Sequence, residues 1–265
     1  MKGRVLIVAG SDSGGGAGIQ ADIKTVTALN GYAATALTAL TAQDTLGVHG
    51  IHEVPVDFLR QQMTLVLDDI GADAVKTGML HRTEVLEAVA AVLDEKAAGM
   101  PLVVDPVMVA KGGASLLDED ARQVLRRRLI AQATVITPNL PEAEILAGRS
   151  IASPDEMLAA GREILALGPQ AVLMKGGHLD GDEVTDILVT AHGAQRFTSP
   201  RLHTTSTHGT GCTLASAIAT GLAQGLALDV AVAQARVYVL EAIRTAPGYG
   251  RGHGPLNHAH TVRQG

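Results

Sequence analysis

Within nine residues, the stretch Thr205-Ser206-Thr207-His208-Gly209-Thr210-Gly211-Cys212-Thr213 gathers two glycines, several hydroxyls, a histidine and the only cysteine of the chain. The apolar run that follows, Leu214-Ala215-Ser216-Ala217-Ile218-Ala219, has helical composition. Gly209 to Cys212 therefore fall where the free N–H groups and the positive dipole end of a helix converge. A turn of this kind binds phosphate. Gly209 and Gly211, with Thr210 between them, let the backbone approach an anion with no Cβ in the way, and Cys212 falls on the first helical turn, where a thiolate is favoured. The chemistry this suggests is phosphoryl transfer. The alternative is a glycine-rich loop leading into a core helix with an inert cysteine.

The elements that must position such a turn follow from composition. The chain has 265 residues, enough for a substantial core, and is 46% hydrophobic but only 2% aromatic. A core of Ala, Val, Leu and Ile suits helices packed on a parallel sheet. A net charge of -6 offers no basic stripe for nucleic acid or an anionic membrane surface. One cysteine permits no internal disulfide, and no apolar run is long enough to span a bilayer, so a cytoplasmic protein is expected.

Apolar runs place strands at 5–9, 33–40, 73–76, 102–104, 134–136 and 171–174, alternating with helices at 19–29, from Pro55, at 84–97, at 118–130 and from the Ser153-Pro154-Asp155-Glu156 capping box to 167. Segments 184–190 and 195–198, joined by Ala191 to Ala194, read as an antiparallel hairpin near one sheet edge, and helices at 212–224 and 229–245 close the chain. The fold expected is a three-layer α/β domain spanning 1–265, a mostly parallel central sheet with helices on both faces and a small antiparallel edge hairpin.

This order brings the polar residues to strand ends: Asp12, Gln43, Met79, Asp105, Asn139 with Glu142, Lys175 and the Gly209 to Cys212 turn. Ligands of open α/β sheets bind there. Lys175 can neutralise a phosphate, while Asp105, Asn139 and Glu142 are oxygen donors of the kind that hold Mg²⁺ through its waters. Other readings remain open: Asn139 and Glu142 have the spacing of an N-cap and its N3 partner, Asp105 precedes Pro106 as turn residues do, and Lys175 adjoins a Gly-Gly turn. The loop Gly10 to Gly18 lacks the Gly-Lys-Ser/Thr of a P-loop. Gly16-Ala17-Gly18-Ile19-Gln20-Ala21 fits the dinucleotide fingerprint, with Asp44 downstream, but six residues separate its first glycine from Ala9. A nicotinamide-dependent oxidoreductase is therefore kept as a remote alternative.

Taken together, the segment from Gly10 to Asp22, Asp105-Pro106-Val107-Met108, Thr137-Pro138-Asn139-Leu140-Pro141-Glu142, Lys175-Gly176-Gly177-His178 and His208 to Thr213 resemble the hydroxymethylpyrimidine/phosphomethylpyrimidine kinases of thiamine biosynthesis, in the ribokinase-like superfamily. The resemblance covers nearly the whole chain. It implies that ATP with Mg²⁺ phosphorylates the hydroxymethyl group of 4-amino-5-hydroxymethyl-2-methylpyrimidine and then the resulting monophosphate. It further implies that Gln43 hydrogen-bonds the pyrimidine with Asp22 and Met79 lining the pocket, that Gly209 to Cys212 form the anion hole, and that the protein is a homodimer. An amide has the acceptor and donor to match a ring nitrogen and an exocyclic amine, although a structural Gln at a strand end is the alternative. Most ribokinase-like enzymes carry an aspartate base where this chain has Cys212, which points to the pyrimidine kinases. The runner-up is a pyridoxal kinase, some of which also carry cysteine.

Overall fold

A computed structural model describes residues 1–108 and 117–262. The chain runs β1 (Arg4–Asp12), α1 (Gly18–Ala28), β2 (Tyr32–Gln43), β3 (Val48–Glu53), α2 (Val56–Asp69), β4 (Ala74–Thr77), α3 (Thr83–Lys96), β5 (Leu102–Val104), α4 (Glu119–Val124), β6 (Val135–Ile136) and α5 (Leu140–Ala147). It continues through α6 (Pro154–Leu165), β7 (Ala171–Met174), β8 (Glu183–Thr190), β9 (Gly193–Pro200), α7 (Thr210–Ala223) and α8 (Leu228–Arg244).

Strand alternation sorts the core into two layers. Val5, Ile7 and Ala9 of β1 pack with α1, α7 and α8, while Leu6 and Val8 face the layer formed by α2 to α6. The nine strands lie in the order β3-β2-β1-β4-β5-β6-β7-β8-β9. In this order neighbours are parallel from β2 through β1 to β7, while β3 pairs antiparallel with β2, β8 with β7 and β9 with β8. The α/β sandwich expected from the sequence is therefore present. Because β2 and β4 flank β1 on opposite sides, the connections diverge there and open a crevice at the carboxyl ends of the strands.

Four local features depart from the expectation. β3 was not anticipated, because five of its six residues are exposed and it lacks the alternation of a half-buried strand. The helix expected over 118–130 ends at Val124, with a π-helical turn over Leu125–Leu129 and a 3-10 turn over Ile130–Gln132. The β8–β9 hairpin turns on Ala191 and His192 alone, since Thr190 already pairs with Gly193. At Ser153 only half of the capping box forms: its hydroxyl accepts from Glu156 N, whereas the Glu156 carboxylate accepts from Ala152 N at 2.7 Å.

Candidate active site

The turn that opens α7 stands at the carboxyl end of the sheet. Gly209, the N-cap, has φ 81°, and a Cβ on it would lie 1.8 Å from Gly16 O. Only glycine permits that contact, which seats the start of α7 against the loop before α1. Thr210 Oγ1 donates to Thr207 O at 2.9 Å, and Thr213 N donates to Gly209 O. Among the described residues no carbonyl accepts from the N–H of Gly209, Gly211 or Cys212. These donors and the helix dipole form a cradle for an anion.

Cys212 is half-buried beneath this cradle, and Gly18 N–H, at the first position of α1, donates toward its sulfur. Burial pushes its thiol up to about 11, reinforced by Asp22 and Asp105 and opposed by Lys76 and the Gly18 N–H. The thiolate anticipated from the helix dipole alone is therefore disfavoured in the ligand-free protein. Lys76 was not singled out from the sequence. It is fully buried, with Nζ 2.8 Å from Asp22 Oδ2, while Ser216 Oγ donates to Asp22 Oδ1 at 2.6 Å. Burial alone would lower the Lys76 pKa, but Asp22, Cys212 and Asp105 raise it, so the ammonium is retained. Asp22, expected to line the substrate pocket, has no exposed surface, and its carboxylate is committed to Lys76 and Ser216. The signal for this pair was a lysine inside the apolar strand Ala74-Val75-Lys76-Thr77, since a buried ammonium demands a partner.

Lys175, at the end of β7, donates to Asp105 Oδ1 at 3.1 Å, and Thr137 Oγ1 donates to the same oxygen at 3.0 Å. Its backbone N–H donates to Pro138 O, fixing it beside the turn into α5. Burial lowers the Lys175 pKa, but Asp105 and Glu142 outweigh it and the net shift is upward. A Cβ on Gly211 would stand 3.1 Å from Lys175 Nζ and 3.5 Å from Asp105 Oδ2, so the lysine and this carboxylate face the α7 cradle directly. Asn139 and Glu142 form a complete capping box: Asn139 Oδ1 accepts from Glu142 N at 3.0 Å, and Glu142 Oε2 accepts from Asn139 N at 2.9 Å. The capping and rim readings of these two residues hold together, because the cap of α5 lies on the rim. Burial raises the Glu142 carboxyl to about 7 despite the attraction of Lys175, with Asp105 adding to the rise.

Among the described residues no group of three or more His, Cys, Asp or Glu forms a ready metal cage. Asp105 and Glu142, both about Lys175, do suit a cation that keeps most of its waters and takes oxygens from a phosphate chain.

On the β1 side, Asp12 is 2% exposed and its carboxylate accepts from Gly14 N, Gly16 N and Ala17 N at 2.8 to 3.0 Å. His208 Nε2 lies 2.8 Å from the same carboxylate. The backbone donors that a dinucleotide pyrophosphate would need before α1 are thus already satisfied by Asp12, which overturns the nicotinamide alternative. Burial acts to raise the Asp12 pKa, but His208 and the loop amides hold it below the usual carboxylate range. Gln43, half-buried at the end of β2, stands beside His208. Met79 is partly buried, with its Cε 2.7 Å from where a Gly10 Cβ would be, so Gly10 leaves room for this side chain over the end of β1. The C-terminal segment closes the same corner: Gly254 O accepts from His208 N, and Thr45 Oγ1 accepts from the N–H of Arg251 and Gly252.

The sequence profile of the phosphomethylpyrimidine kinase family matches residues 12–257. The thiamine biosynthesis bifunctional protein of Geobacter sulfurreducens is 55% identical over 97% of this chain, which spans about half (52%) of that protein's length. The hydroxymethylpyrimidine/phosphomethylpyrimidine kinase of Bacillus subtilis is 47% identical over 96% of this chain and 94% of its own. Among solved structures, the ADP complex of Bacillus subtilis pyridoxal kinase superimposes with a TM-score of 0.90 at 37% identity, covering 98% of each chain. The chain belongs to the phosphomethylpyrimidine kinase family.

Proposed function

We propose that this protein transfers the terminal phosphoryl group of ATP to the hydroxymethyl oxygen of 4-amino-5-hydroxymethyl-2-methylpyrimidine, and then to the phosphate of that product. The observation that carries the reading is the convergence of the donor-rich α7 turn, Lys175 and Cys212 on one point of the rim. Full-length relatives named for this reaction support it.

ATP with Mg²⁺ supplies the phosphoryl group and spreads the charge that develops on it. The residues of this chain do the rest. Gly209, Gly211 and Cys212 offer backbone N–H groups to the transferring phosphate, with Thr210 holding the turn closed through Thr207 O. Lys175 brings a fixed positive charge to the same point, and Asn139 stands beside it on the nucleotide side. Asp105 and Glu142 would hold the cation, whose charge would offset that of the phosphates. Because the transition state of phosphoryl transfer is loose, the hydroxymethyl proton leaves late. Cys212 orients that hydroxyl and, from the minor thiolate form available below its raised pKa, takes the proton late in the transfer; the neutral thiol that results returns it to solvent when product leaves. Gln43 reads the aminopyrimidine edge and Met79 covers the ring; Asp22 acts from behind, through Lys76.

The solved pyridoxal kinases of the same fold support a second reading, in which pyridoxal is also phosphorylated. The described residues contain no helix long and apolar enough to cross a membrane. The deciding experiment measures turnover with hydroxymethylpyrimidine, its monophosphate and pyridoxal side by side. The proposal expects both pyrimidine steps to exceed pyridoxal phosphorylation in kcat/KM. Pyridoxal as the best substrate would replace it with the second reading.

A further inference from the structure

The Gln43 side-chain amide touches two groups that do not belong to a substrate. One of its terminal atoms is 3.3 Å from His208 Nε2 and the other is 3.1 Å from Thr41 Oγ1. Oxygen and nitrogen of an amide are alike in size, so proton bookkeeping decides which faces which. The Asp12 carboxylate accepts three backbone N–H groups and therefore carries no proton to give. At 2.8 Å from it, His208 Nε2 must be the donor, whether the ring is neutral or charged. A nitrogen that carries a proton there cannot accept from an amide N–H, so the Gln43 atom beside it is the oxygen, which takes the longer branch of an Nε2–H shared with Asp12. The other end agrees. Thr41 has one hydroxyl proton, which goes to Ser11 O at 2.9 Å, leaving its lone pairs to accept from the Gln43 amide nitrogen. With the amide reversed, two N–H groups would face each other at His208.

His208 is itself held firmly. Its backbone N–H donates to Gly254 O, and its ring lies so close to Gly16 that a Cβ there would meet His208 Cδ2 at 2.5 Å.

We infer that His208, anchored by Asp12, is a positioning residue that locks the Gln43 amide with its oxygen toward the α7 turn and its nitrogen toward Thr41, and so sets which way round the substrate ring lies. This rests on Gln43 reading the ring, as proposed above. The remaining lone pair of the oxygen then takes the exocyclic 4-amine, and the remaining N–H donates to the adjacent ring nitrogen. Along the ring edge the order is nitrogen, amine-bearing carbon, hydroxymethyl-bearing carbon. A ring read in that direction carries its hydroxymethyl group onward past His208, whose segment leads within four residues to Cys212. A reversed amide would demand the opposite pattern, a ring N–H beside a carbonyl.

That opposite pattern exists in the 4-oxo analogue, 5-hydroxymethyl-2-methylpyrimidin-4-one, which is the probe. The parent enzyme should prefer the 4-amino compound in kcat/KM by about 100-fold or more, because a locked amide leaves polar groups unmatched on the analogue. His208→Phe and, separately, Thr41→Val release one end of the amide each. Both should narrow that preference by about tenfold or more, with the KM for ATP unchanged and Tm followed in parallel. Gln43→Ala should abolish the preference, and adding His208→Phe to it should change the ratio no further. Equal losses on both compounds, with the ratio unchanged in both single variants, would mean that His208 and Thr41 only support the fold, and would overturn the inference. A parent that shows no preference, unaltered by Gln43→Ala, would instead remove Gln43 as the reader of the ring and the inference with it.

Discussion

Lys175 and Glu142 flank Asp105, one a retained ammonium and the other a carboxyl raised to about 7, with different work to do. Lys175 bonds Asp105 at 3.1 Å and faces the α7 cradle, so Lys175→Ala should lower kcat about 100-fold or more by removing charge that strengthens in the transition state. Glu142→Ala should lower kcat comparably, with a steeper dependence on Mg²⁺ concentration, and Glu142→Gln should keep the Asn139 cap while losing the charge. Activity within a few-fold of the parent in Lys175→Ala and Glu142→Ala would leave both as structural groups. Cys212 allows a sharper test. With its thiol pushed up to about 11 by burial, alkylation of the ligand-free enzyme should accelerate about tenfold per pH unit between pH 7 and 9, and substrate with ATP should protect. A plateau near pH 8 would show a thiolate already formed. Cys212→Ala should lose most of kcat with little change in ATP affinity, whereas Cys212→Asp should retain activity. The rim positions of Lys175 and Asp105 were legible in the sequence because polar groups follow apolar runs at the ends of strands, and that of Cys212 because it follows a glycine turn that opens a helix. The tasks of Asp12 and Asp22 were not, because which neighbour satisfies a buried carboxylate depends on residues distant in the chain, His208 and Lys76.

At the scale of elements, the Lys76–Asp22–Ser216 chain ties β4, α1 and α7 together beneath Cys212. Both charges have no exposed surface, so breaking the pair differs from replacing it. Asp22→Ala should destabilise by about 3–5 kcal/mol, because it leaves a buried ammonium without its counter-charge. The joint replacement Lys76→Met with Asp22→Leu should recover most of that loss, as apolar groups of similar volume tolerate the same site. Urea unfolding of the three proteins measures it; equal loss in the single and the joint variants would show that the site needs the ion pair itself. β5 and β7 were readable as continuous apolar runs buried on both faces, and α8 from its one-sided apolar pattern. β3 was not, since its pairing with β2 is made by backbone hydrogen bonds under an exposed face, and neither was the π turn over Leu125–Leu129.

For the whole molecule, a sheet continuous across nine strands leads us to propose one cooperative unit, which should unfold in a single transition. We also propose the homodimer, on the strength of the exposed Leu46, Val48 and Ile51 at the open edge formed by β3, with Phe58 and Leu65 exposed on the α2 that follows it. Light scattering should give twice the chain mass, and Ile51→Asp should lower it; a monomeric parent would refute the assembly. Stability should in addition carry an acid limb set by the C-terminal segment. His258 is 6% exposed, its Nε2 3.0 Å from Thr213 Oγ1, directly after Cys212, and Tyr238 OH donates to its carbonyl oxygen. Burial, with Lys24 and His260 nearby, lowers its pKa to about 4. An unfolded chain binds the proton near the ordinary value of about 6.5, so between those values the unfolded state holds more protons than the folded one. Stability is therefore complete above this window and falls as pH drops through it, by up to about 3 kcal/mol in all. His258→Phe forgoes the Thr213 hydrogen bond but has no proton to take up. Its urea midpoint at pH 7 should lie below the parent's, while the fall from pH 7 to pH 4.5 should be shallower. An equal fall in both proteins would place the acid sensitivity elsewhere and leave the docking of the tail independent of His258.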